Sequence, residues 1–174
     1  MAVTTQRTTT RRWVVDETRS SVGFEVRNFW GLAAVRGSFD SFDGSYTVGP
    51  NGSSIELTID ATSIDTGNER RDHHLRSADF FDADEFPEIR FTSSRIVDLG
   101  DGRMHVSGEL EAAGTTTPLA FNATVQTFVD ELEFETTADV DQRNLGMSSG
   151  PLWSIRRPAT LYVKTRLVRV DDAD

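Results

Sequence analysis

The feature that most constrains this chain is a period of two that returns along almost its whole length. In 21–27, Val22, Phe24 and Val26 fall on one face and polar or small residues on the other, which is the pattern of a half-buried strand. The alternation recurs through Ile55, Leu57, Ile59 and Ala61, through 90–97, and through Met104, Val106, Gly108 and Leu110. It continues through Leu119, Phe121, Ala123 and Val125, then Leu132, Phe134, Thr136, Ala138 and Val140, then Leu161, Val163, Thr165 and Leu167. Two further strands are expected at 13–16 and 37–48. The runs are separated by turn chemistry at Gly49-Pro50-Asn51-Gly52, Leu99-Gly100-Asp101-Gly102 and Asp130-Glu131, so consecutive strands should form antiparallel hairpins.

Eight or nine one-faced strands joined mostly by short turns leave two economical architectures, a sandwich or a closed up-and-down barrel. The inward residues mix large with small, and a barrel of about eight strands is just wide enough to hold one small ligand. The expected fold is therefore all-β, an eight-stranded antiparallel barrel of the lipocalin kind. One segment interrupts the pattern. Thr66-Gly67-Asn68-Glu69 fits a capping box, so a helix is expected to start at Thr66 and run to about Ser77 within a helical insertion over about 66–82. Its content is polar except for Leu75 and Ala78, and Phe80, Phe81 and Phe86 follow it, which suits a lid on the open end of a barrel.

At 174 residues the chain has the length of one domain, with 37% hydrophobic residues to fill its core. The net charge of −10 argues against nucleic acid and against electrostatic docking on anionic membranes. Residues 1–11 are rich in Thr and Arg with little to bury and are expected to be a disordered basic arm. The barrel domain is expected over 12–170 and an acidic tail over 171–174. The absence of cysteine excludes disulfides and thiolate chemistry. No secretory pattern opens the sequence and no stretch approaches 18 apolar residues, so a cytoplasmic location without a transmembrane segment is expected.

Two motifs invite a catalytic or metal reading. Gly146-Met147-Ser148-Ser149-Gly150 matches the G-x-S-x-G elbow with Ser148 as nucleophile. An elbow needs a following helix, however, and all three histidines precede Ser148, so a Gly/Ser loop accounts for it better. Asp72, His73, His74 and Glu69 offer metal ligands, yet adjacent helical histidines point about 100° apart and the i, i+4 spacing of zinc helices is missing, so a solvated polar helix is expected.

The segment from Ser63 to Asp82, with Asn68, Arg71-Asp72, His74-Leu75-Arg76-Ser77 and Asp79-Phe80-Phe81, followed by Phe86-Pro87-Glu88-Ile89-Arg90-Phe91, resembles the signature of the YceI-like family of polyisoprenoid-binding proteins. Trp13-Val14-Val15-Asp16, Val35-Arg36-Gly37-Ser38-Phe39 and Gly114-Thr115-Thr116-Thr117-Pro118-Leu119 extend the resemblance over about 13–170. At 142–146 the family commonly has Arg, Asp and Phe where this chain has Gln142, Asn144 and Leu145.

The resemblance implies an extended lipocalin-like barrel around a tunnel for a long isoprenoid chain, such as a polyprenyl pyrophosphate or the tail of an isoprenoid quinone. The residues assigned to that ligand are Val22, Phe24, Val26, Phe39, Leu57, Ile59, Phe80, Phe91, Leu110, Phe121, Phe134, Ala138, Leu145, Met147 and Val163. Arg71, His74 and Arg76 are candidates to meet its headgroup, although a structural role, Arg71 pairing internally with Asp72 to fix the helix to the barrel, is the favoured reading. The expected function is non-enzymatic storage or transport of the lipid, with no cofactor and no metal, by a chain that could form a homodimer. The alternatives are a lipid or ester hydrolase using Ser148 and a solid-core interaction domain of the stress response.

Overall fold

The computed structural model describes residues 9–27, 34–147 and 158–170. Ten strands account for the alternating runs: β1 (Arg11–Arg27), β2 (Ala34–Phe39), β3 (Phe42–Gly49), β4 (Gly52–Asp60), β5 (Ile64–Asp65), β6 (Glu88–Gly100), β7 (Arg103–Ala112), β8 (Thr115–Thr127), β9 (Glu131–Val140) and β10 (Ala159–Val170). They follow one another as antiparallel neighbours in the order β10-β9-β8-β7-β6-β4-β3-β1, and β1 pairs back onto β10, which closes an eight-stranded barrel. β2 continues the line of β3 along the second half of β1, and β5 adds a two-residue edge to β2.

The strands expected at 13–16 and 21–27 are one long strand, β1, with a bulge between Asp16 and Ser21. The strand expected at 37–48 is two, broken at Asp40 and Ser41, where both backbone amides turn to Ser63: Asp40 to its carbonyl at 3.2 Å and Ser41 to its hydroxyl at 3.1 Å. Of the expected arm over 1–11, Arg11 already belongs to β1 opposite Val48. Residues 1–8 and the tail at 171–174 lie outside the described residues. Tight turns use the left-handed region where the hairpin twist demands it. Ala113 (φ 49°) and Gly114 (φ 71°) make a two-residue link from Ala112 to Thr115, and a Cβ on Gly114 would press into the ring of Phe86.

Between β5 and β6 lies the single α-helix of the described residues, α1 (Glu69–Arg76). It does not start at Thr66. The cap is Asn68, in extended geometry, whose side chain accepts the Arg71 amide at 3.0 Å. The Thr66 hydroxyl is engaged elsewhere, by Asp72, and Gly67 at φ 73° turns the chain before the helix can begin. Only Leu75 of α1 is apolar, and it is 2% exposed, driven into the end of the barrel beside Ile64 and Ala61. Turns over 77–86 bring Phe80 and Phe81 onto the same core.

Candidate functional site

The inward faces of the strands leave an internal cavity of about 150 Å³. On β10 its lining runs from Ala159 through Leu161, Val163 and Thr165 to Leu167, about 26 Å along the strand at the usual rise per residue. On β9 it runs from Phe134 to Val140, about 20 Å. A modest volume spread over that length is a narrow tunnel, and its walls are side chains rather than backbone. Phe24 and Phe39 meet at 5.7 Å between ring centroids, Phe91 and Phe121 at 5.2 Å.

The lid closes one end through Leu75, Phe80 and Phe81. Phe81 sits edge-on to both Phe80, at 4.9 Å, and Phe39, at 6.0 Å, so the lid is tied to β2 by aromatic contact. Its polar side is tied as firmly. The Thr66 amide and hydroxyl both donate to Asp72, itself 6% exposed. Arg71 donates from Nε to the Thr66 hydroxyl at 2.7 Å and from Nη2 to the Thr66 carbonyl at 2.8 Å. Arg76 reaches the carbonyls of Thr62 and Ile64, both at 2.8 Å.

All fifteen residues assigned to the ligand from the sequence line the tunnel. The residues assigned to its headgroup are placed differently. Arg71 and Arg76 are engaged by the protein's own oxygens, and His74 is half-buried on α1. The lining also includes residues not assigned to the ligand from the sequence. Leu161, Leu167, Val140 and Ile89 stand on the same alternation as the chosen ones, whereas nothing in the pattern marks Gln142 as inward. Gln142 opens a 3₁₀ turn (Gln142–Leu145) capped by Asp141, which folds the end of β9 over the tunnel and leaves Gln142 7% exposed. Among the described residues no cluster of three or more metal-ligating side chains occurs. Ser148 lies outside them.

A closed eight-stranded barrel with an apolar tunnel under a helical lid is a ligand-cavity barrel of the lipocalin type. The chain belongs to the YceI-like family, whose domain profile matches residues 13–167. It is similar to a UPF0312 protein of Vibrio cholerae, 37% identical over 107 residues, which are 60% of this chain and 56% of that one. A UPF0312 protein of Shewanella baltica is 34% identical over 116 residues, 64% of this chain and 60% of that one. The matched stretch thus spans somewhat over half the length of these relatives. In fold the chain is similar to BcnA of Burkholderia cenocepacia, with a TM-score of 0.76 at 23% identity over 88% of this chain and 98% of that one. It is also similar to a polyisoprenoid binding domain from Saccharophagus degradans implicated in plant cell wall breakdown, with a TM-score of 0.73 at 18% identity over 91% and 98%.

Proposed function

We propose that the barrel binds the tail of a long isoprenoid lipid, a polyprenyl pyrophosphate or an isoprenoid quinone, and stores or carries it without turnover. The observation that carries this reading is the tunnel itself. An empty cavity of about 150 Å³ costs a fold on the order of 3–4 kcal/mol in lost packing, so a void kept along the whole barrel calls for an occupant. The lining suits a branched hydrocarbon: each Å² of tail buried contributes about 25 cal/mol, and a flexible prenyl chain asks for no hydrogen bonds along its length. Membership of the YceI-like family and the likeness to a polyisoprenoid binding domain support the same ligand class.

Native mass spectrometry and organic extraction of protein purified without detergent test the proposal. An isoprenoid released from the barrel, or stoichiometric uptake of an added isoprenoid hydrocarbon, is the expected result. Neither co-purification nor uptake would make the barrel a solid-core domain.

A further inference from the structure

The outer wall of the barrel carries a second arrangement, on the face of the sheet turned away from the tunnel. Along β7, Val106 points into the core and is fully buried, so its neighbours His105 and Ser107 point outward. The Ser107 hydroxyl lies 3.4 Å from Nε2 of His105. Asn122 of β8 is the register partner of His105, and its Oδ1 lies 2.8 Å from Nδ1 of the same ring. An amide oxygen accepts, so Nδ1 carries the ring proton and Nε2 is left as acceptor for the Ser107 hydroxyl. Hydroxyl, imidazole and amide oxygen thus stand in the order of nucleophile, base and orienting group that acyl transfer uses.

The backbone holds each member in place. The Asn122 carbonyl accepts the Thr136 hydroxyl at 2.7 Å, where the pairing of β8 with β9 ends at Ala123 and Thr136. The Ser94 hydroxyl donates to the Ser107 carbonyl at 3.2 Å, beside the bulge that β6 makes between Ser93 and Arg95. That bulge sets Arg95 opposite Ser107, so an exposed guanidinium shares the face of the hydroxyl. On its other side Ser107 is opposite Ala120, exposed and short, which leaves the approach to Oγ open. A groove of about 350 Å³, with Leu99, Arg103, Thr124 and Glu135 in its walls, adjoins Asn122.

We infer that Ser107, His105 and Asn122 form an acyl-transfer site for small esters on the outer wall, separate from the lipid tunnel. Ser107 Oγ bonds to the ester carbonyl carbon as its proton passes to His105 Nε2. Negative charge gathers on the former carbonyl oxygen, on the face that Arg95 shares. The bond from carbon to the alcohol oxygen then breaks, Nε2 returns the proton to that oxygen, and the alcohol leaves an acyl group on Ser107. Water repeats the sequence: its proton goes to Nε2, its oxygen bonds to the acyl carbon, and the proton passes to Ser107 Oγ as the acid departs. Ester and water have become acid and alcohol. A separation of 3.4 Å is at the loose end of the hydrogen-bond range, and such pairs tighten as substrate docks. Asn122 acts through the ring and is a positioning residue.

A fluorophosphonate probe and p-nitrophenyl acetate test the site. The probe is expected to label Ser107, located by peptide mass mapping, and the ester to be hydrolysed. Ser107→Ala should abolish both reactions, and His105→Gln should slow both by about a hundredfold or more. Asn122→Asp, which still accepts from Nδ1, should keep most of the rate, whereas Asn122→Leu should lower kcat with little change in KM. Unchanged melting temperatures should confirm that the variants fold. An unlabelled protein, label on another serine such as Ser148, hydrolysis that survives Ser107→Ala, or full activity in His105→Gln would overturn the proposal. None of these outcomes touches the tunnel reading, which lipid uptake decides.

Discussion

Thr66 gives both its backbone amide and its hydroxyl to one oxygen, Oδ1 of Asp72, the amide at 3.0 Å. This contact joins the strand that precedes the lid to the helix that forms it, and Arg71 closes the ring by donating to the same Thr66 hydroxyl. Removing the carboxylate leaves two donors of Thr66 unpaired beside a buried site, so Asp72→Ala should destabilise the protein by about 1–3 kcal/mol. Thr66→Ala keeps the amide bond to Asp72 and should cost less. Denaturant titration of the two variants checks the order, and a larger loss for Thr66→Ala would mean that its hydroxyl, rather than Asp72, is the centre of the ring.

The cap of the lid helix gives a separate prediction. Asn68 accepts the Arg71 amide, one of the donors a helix start leaves open. Asn68→Ala should therefore cost about 0.5–2 kcal/mol, and Asn68→Ser should restore most of it. If lipid leaves under the lid, its release should quicken in Asn68→Ala, and an off-rate equal to the unaltered protein's would reduce the helix to a structural cap.

Much of this architecture is legible in the sequence, and what is not legible has identifiable causes. One-faced alternation marks strands because each inward residue gains by burial, whichever neighbour its strand finds. For that reason Val22, Phe24 and Val26, or Leu132 through Val140, are placed correctly without any knowledge of register. The helix start at Thr66 is misread because Thr66-x-x-Glu69 satisfies the local capping rule, while the hydroxyl is claimed by Asp72, six residues on, through the fold of the lid. The parting of β8 and β9 leaves no trace either. Leu119, Phe121 and Ala123 alternate straight through the point where pairing ends, since alternation reports a buried face and not a hydrogen-bonded edge.

Glu25 carries a prediction in pH. Its carboxylate, almost wholly covered, accepts from Arg27 at 2.8 Å and from Arg36 at 2.6 Å, and these partners hold its pKa below the usual carboxylate range, the Arg27 bond first. A carboxyl whose folded pKa is depressed stabilises the fold above its unfolded value, and that contribution is lost as the pH falls through the folded value. The stability difference between the unaltered protein and Glu25→Gln should therefore be full at neutral pH and shrink under acid. Denaturation midpoints of both proteins from pH 7 downward read it. Parallel curves for the two would show that Glu25 contributes nothing through its charge.

Ala138 tests whether the interior is a tunnel or a core. It is 7% exposed, lies on β9 opposite Leu161 of β10, and lines the lumen. In a filled barrel the larger side chain of Ala138→Leu would be forced among close-packed neighbours, at a cost of about 1–3 kcal/mol. In a tunnel it enters free volume, so the fold should keep its stability or gain slightly from the apolar area it covers. The same carbons then occupy the path of the ligand tail, and isoprenoid affinity should fall by about tenfold or more, the equivalent of losing some tens of Å² of buried tail. Melting temperature and binding measured on one preparation separate the cases. Lower stability with unchanged binding would place Ala138 in a solid core, whereas unchanged stability with weakened binding is the outcome that only an open lumen allows.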